Sequence, residues 1–235
     1  MELPQSSPRL PMELLLHEVM PQLVAMQDLE TLKALSQICW AFVAPYQRVL
    51  YRKISWKDGC TTARDLQYLM RSKSPHLAGY IRHVNFSLHP ELQAQTKRFV
   101  AAVFNQLPKV VLFDLSAPGQ ISWSSLSPEL ERSFVRIIQG TSLMFLALKS
   151  LNHVPVSVLA LSSVRTLMIN NTHILADVAV GSKRILRLNH IVIWWHDDVA
   201  RSCLKTLLQF SKQVCQIELL GKSHLPSLVC QKAII

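Results

Sequence analysis

The spacing of hydrophobic residues changes near residue 56, and the change predicts two kinds of structure. Before it, apolar positions recur at helical intervals in three pieces. Leu15, Val19 and Leu23 are four apart, Leu29, Leu32 and Leu35 are three apart, and Val43, Leu50 and Tyr51 follow a break at Cys39-Trp40. Asp28 stands just before the second piece, where a carboxylate suits a helix N-terminus. Pro21 interrupts the first piece and removes an amide donor, so that helix is expected to be short or kinked. Three short helices cannot bury their faces singly; they must pack on each other or on a partner.

After Trp56 an apolar-x-x-apolar-x-apolar pattern recurs at Ile81-Val84-Phe86, Val110-Phe113-Leu115, Leu143-Leu146-Leu148, Val164-Leu167-Ile169, Leu188-Ile191-Ile193 and Val214-Ile217-Leu219. The alternation predicts a strand at each. Helical signals fill several of the intervals. Pro90 precedes a run with Leu92, Phe99, Val100, Val103, Phe104 and Leu107 on one face, and Ser127-Pro128-Glu129 opens another that Gly140 follows. Asp197-Asp198 open a third at the positive end of its dipole. Strand and helix alternating in this way imply a parallel sheet with helices on its outer side. The expected fold class is α/β: a three-helix module over residues 1–58 and a strand-helix domain over residues 59–235. Residues 61–73 are expected to cap that domain, and Ser227 to Ile235 to add a strand or end the chain.

Two resemblances sharpen this reading. Leu10-Pro11-x-Glu13-Leu14, Asp28-Leu29, Ser36-x-Ile38-Cys39-Trp40 and Leu50-Tyr51-Arg52-x-Ile54, in that order, resemble the F-box family. The resemblance implies docking onto a Skp-type adaptor and, through it, a cullin scaffold. It also implies an apolar adaptor-binding set of Leu10, Pro11, Leu14, Leu15, Leu32, Leu35 and Ile38. The six later motifs are similar in period to irregular leucine-rich repeats, in which each unit pairs one strand with one helical segment and neighbours stack. The position that carries Asn or Cys in ordinary repeats is here His89, Pro118, Leu151, Thr172, His196 or Lys222. The side chains that alternate with the buried ones would then line a concave target-binding face, chiefly His83, Asn85, Asp114, Phe145, Met168, Trp194 and Glu218. Trp194 is the expected anchor, since large aromatics dominate interface energetics.

Composition narrows the function classes. The 235 residues are 49% hydrophobic and 17% charged with only 6 Gly, which argues for a folded chain. No apolar run approaches the ~18 residues that cross a bilayer, and residues 1–16 lack the features of a secretory leader, so a cytoplasmic or nuclear location is expected. Five scattered cysteines without a CxxC pair predict neither a disulfide framework nor a structural zinc site. The formal charge of +10 is spread in small groups without a basic tail or interleaved stacking aromatics, which argues against nucleic acid.

Catalytic patterns fail on inspection. Gly221-Lys222-Ser223 resembles the end of a phosphate-binding loop, but position 216 is Gln where that loop needs glycine. His17-Glu18 has Pro21 in place of a second ligand, and no nucleophile elbow or dinucleotide turn is present. His89, His153, His173 and His196 each follow a predicted strand and are read as exposed rim residues. The sequence therefore predicts a non-enzymatic adaptor with no cofactor or metal ion, whose partners are the Skp-type protein and an unidentified protein target.

Overall fold

A computed structural model describes residues 14–56, 75–159, 162–177, 186–195 and 198–221. Leu10, Pro11, the expected cap over residues 61–73, His196 and the stretch from Ser227 to Ile235 lie outside those residues. The chain divides between Arg52 and Lys53 into two compact units.

The first unit is helical. A π-helical turn over Leu15–Val19 runs into α1 (Met20–Met26), with Met20 N–H donating to Leu15 O five residues back. Pro21 cannot donate, and its ring crowds the carbonyl four residues earlier; the wider turn ahead of it relieves both demands. The helix thus passes through the proline by changing register. Gln27 ends α1 in the left-handed region at φ 55°, and Asp28 N–H closes the end on Leu23 O at 3.1 Å. Asp28 then caps α2 (Leu29–Ile38), accepting from Thr31 N–H at 3.1 Å and from the Thr31 hydroxyl at 2.7 Å. Those bonds, the hydroxyl's foremost, hold the Asp28 carboxyl below its ordinary pKa. A short 3-10 turn over Trp40–Phe42 leads to α3 (Val43–Leu50), and the three pieces share a core at Leu32 and Phe42.

The second unit is built on a parallel sheet. Among the described residues seven strands pair in chain order: β1 (Lys53–Trp56), β2 (His83–Ser87), β3 (Leu112–Ser122), β4 (Phe145–Asn152), β6 (Thr166–Asn170), β9 (His190–Trp195) and β11 (Gln216–Gly221). The second and third members of all six sequence motifs fall on strands of this sheet, and the first member lies two residues before each strand begins. Lys53–Trp56, assigned from sequence to the helical module, instead pairs with β2 as the first strand. Two short parallel pairs lie outside the main sheet: β5 (Val154–Pro155) with β7 (Ile174–Leu175), and β8 (Leu186–Arg187) with β10 (Ser211–Gln213).

Helices α4 (Ala94–Phe104), α5 (Pro128–Ile138), α6 (Val156–Leu159) and α7 (Asp198–Phe210) contribute buried residues to one core with one face of the sheet. The sheet side of that core consists of two registered rows. One runs Ile54, Val84, Phe113, Leu146, Leu167 and Ile191; the other runs Trp56, Phe86, Leu115, Leu148, Ile169 and Ile193. Phe86, Phe104, Phe113 and Phe134 meet with centroids 5.4–5.9 Å apart, a spacing suited to edge-on and tilted aromatic packing. Truncating such a buried phenylalanine costs about 3–5 kcal/mol. Ser133, fully buried on α5, donates to Glu129 O at 2.7 Å and also lies 3.4 Å from Ala101 O of α4, so its polarity joins the two helices. Pro128 enters α5 at its first turn, where the missing amide has no intrahelical partner to lose.

Candidate functional site

The strand register carries the alternation to the other face of the sheet, where it forms three rows. The first is Lys53, His83, Leu112, Phe145, Thr166, His190 and Gln216. The second is Ser55, Asn85, Asp114, Ala147, Met168, Val192 and Glu218. The third is Ser87, Ser116, Lys149, Asn170, Trp194 and Leu220. Every target-facing residue expected from sequence belongs to one of these rows. The rows also admit His190, Lys149 and Asn170, which the sequence reading missed. One more period-two step past Ala147 and Met168 reaches Lys149 and Asn170, and two residues past Leu188 is His190.

The face is apolar at its centre and charged to either side. Leu112, Phe145 and Met168 are half-buried, whereas Ala147 and Val192 are almost fully buried and offer only a floor. Lys149 Nζ lies 2.7 Å from Asp114 Oδ2 on one side of this band. On the other, His190 Nε2 stands 3.2 Å from Glu218 Oε1 without hydrogen-bond alignment, and Gln216 Nε2 donates to the same oxygen at 2.7 Å. Trp194 is 36% exposed in the third row. It borders a small cleft shared with Asn171, Thr172 and Val199.

The expected adaptor-binding residues separate by burial within the helical unit. Leu32 is fully buried and supports the bundle from inside, while Leu15 and Leu35 are half-buried. Leu14 and Ile38 are 47% and 81% exposed. Trp40, absent from the expected set, is 86% exposed. The break that places it at the start of a 3-10 turn was visible in the sequence; its outward orientation was not.

At the carboxyl ends of the strands, Thr172 is buried and its hydroxyl receives Leu151 N–H at 3.3 Å while donating to Asn170 O at 3.0 Å. The hydroxyl thus ties the end of β4 to the turn that follows β6. On α7 Cys203 is fully buried, and desolvation pushes its thiol up to about 12, opposed in part by a backbone hydrogen bond involving Ile174. Among the described residues no helix is long and apolar enough to cross a membrane. No protein-family model, curated protein or solved structure matches this chain.

Proposed function

We propose that the chain is a non-catalytic substrate receptor of a ubiquitin ligase, an F-box-type adaptor with a leucine-rich-repeat-like recognition domain. The reading assigns a Skp-type partner to the helical unit and a protein target to the face of the sheet opposite the helices. The observation that carries it is the set of three in-register rows, which make one continuous surface of mixed apolar, aromatic and charged groups. Such a mixture is characteristic of protein interfaces. Strands paired in chain order support the repeat interpretation, because stacked units place each strand beside the next. Leu14, Ile38 and Trp40 support the docking role, since large apolar side chains left outside a small bundle mark a surface that a partner covers.

Co-expression of the full chain with a Skp-type protein tests the docking half. The expected result is a soluble one-to-one complex. A chain that is folded by circular dichroism and fails to associate overturns the ligase assignment, leaving a scaffold that acts through its sheet face alone.

A further inference from the structure

The two edges of the main sheet differ in sign. Segments 75–82, 105–111, 139–144, 162–165, 186–189 and 211–215 lead into β2, β3, β4, β6, β9 and β11; they contain Arg82, Lys109, Arg165, Arg187 and Lys212 but no Asp or Glu. At the opposite edge, segments 88–93, 123–127 and 171–177 follow β2, β3 and β6; they contain Glu91 and Asp177 but no Lys or Arg. The imbalance extends to the whole unit. Residues 1–52 hold 4 Lys and Arg against 5 Asp and Glu, whereas residues 53–235 hold 21 against 10, so the excess positive charge belongs to the sheet-bearing unit.

The basic edge is fixed from the backbone. The carbonyls of Arg82, Val111, Met144, Arg165 and Asn189 each accept two N–H groups from the start of the next strand, at 2.7–3.1 Å. Arg82 is half-buried, its Nη1 donating to Gly79 O at 2.6 Å and to Ile81 O at 3.1 Å. Lys109, Arg165, Arg187 and Lys212 are exposed, and none of the four forms an ion pair with a described residue. Adjacent strands are closer than the ~8 Å Debye length, so like charges carried on them repel unless a counter-charge is present. A helix C-terminus attracts a cation only over its last turn. Lys109 lies five residues past the end of α4 and Arg165 six past the end of α6, so that attraction does not account for them.

We propose that this edge binds an extended, acidic polypeptide segment. From β2 to β11 the row covers five strand steps, about 24 Å, and an extended chain projects alternate side chains to one side about 7 Å apart. Successive Asp or Glu residues of such a segment can therefore meet the cations of successive strands. Met144, 46% exposed between the strand positions of Lys109 and Arg165, offers an apolar contact between two acids. Tyr80 is the single Phe, Tyr or Trp in the six segments, whereas single-stranded nucleic acid is held by a series of stacking rings. The edge lies outside the three rows of the sheet face, so this binding does not depend on the ligase reading.

Fluorescence anisotropy of the full chain with a fluorescein-labelled decaglutamate peptide tests the edge. Saturable binding is expected at about 50 mM salt, weakening ~10-fold or more by about 300 mM. Arg165→Glu/Arg187→Glu should weaken it ~10-fold or more. Arg98→Glu/Arg136→Glu makes the same charge change at exposed positions of α4 and α5 and should leave binding within about twofold. No saturable binding by the wild type, or equal loss in the two double variants, overturns the proposal. Competition on the wild-type chain gives a check that does not depend on how the variants fold. Unlabelled decaglutamate is expected to displace the probe at a lower concentration of charge than oligothymidylate or phosphatidylserine vesicles do. Stronger displacement by either of those overturns the assignment to an acidic polypeptide.

Discussion

Asp114 and Lys149 meet across β3 and β4 on a diagonal: Asp114 registers with Ala147, and Lys149 with Ser116, yet Nζ and Oδ2 are 2.7 Å apart. The second carboxylate oxygen of Asp114 is buried and accepts no hydrogen bond among the described residues. The lysine is therefore the main compensation for a partly desolvated charge. Lys149→Met, which keeps the aliphatic stem, is expected to destabilise the second unit by about 1 kcal/mol, toward the upper end for surface pairs because both partners are half-buried. The Asp114→Asn/Lys149→Met double variant should cost less than the sum of the singles in urea unfolding. Strict additivity would show that the pair is uncoupled.

Trp194 and Phe145 make the proposed target-binding face testable even with the target unidentified. Trp194→Ala removes a side chain that is 36% exposed, so the fold should persist. Retention of target by affinity capture should drop ~10-fold or more, as when an interface aromatic is truncated. Phe145→Asp charges the apolar centre of the same face and should act likewise. Normal capture by both variants would move the target-binding surface elsewhere.

Leu14 and Leu32 distinguish docking from folding in the helical unit. Leu14→Asp and Ile38→Asp charge exposed positions and should weaken Skp-type binding ~10-fold or more with little change in circular dichroism. Leu32→Asp buries a carboxylate in the bundle, at a cost of roughly several kcal/mol, and should unfold that unit before any binding is measured. Equal binding by Leu14→Asp, Ile38→Asp and wild type would contradict the proposed contact surface.

Asp28 gives the helical unit a defined acid dependence. Its folded pKa lies below the ordinary carboxylate value, so the cap's stabilisation is present above that value and is lost as pH falls through the folded pKa. In thermal melts from pH 6 downward, Asp28→Asn should be less sensitive to acid than wild type, because the amide still caps but does not titrate. Identical acid profiles would remove Asp28 from the explanation.

Cys203 and Cys215 predict unequal alkylation. Cys215 is exposed, whereas Cys203 is buried with its thiol pushed up to about 12. Peptide mapping after iodoacetamide at pH 8 should show Cys215 modified and Cys203 protected until denaturant is added. The raised pKa also makes the neutral thiol a stabilising form. That contribution is complete below the unfolded value near 9.0 and declines as pH rises toward 12.

Local order was legible in the sequence because it repeats along the chain. The six apolar motifs marked their strands, Asp28 its helix start and Ser127-Pro128 another, since periodicity and capping depend on neighbours within a few residues. Strand parity likewise gave the side of the sheet on which His83, Asn85 and Trp194 fall. Tertiary structure decided what depends on register and packing. It aligned residues of separate motifs into rows and drew Lys53–Trp56 into the sheet. It also turned Ala147 and Val192 into a floor, seated Leu32 inside its bundle and left Ile38 outside. The meeting of His153 and His173, with ring centroids 5.6 Å apart, belongs to this class, because backbone hydrogen bonds between His173 and both Leu151 and Val154, far from it in sequence, bring them together. Alternation along one strand says which face a side chain takes, but only pairing with the next strand says what stands beside it.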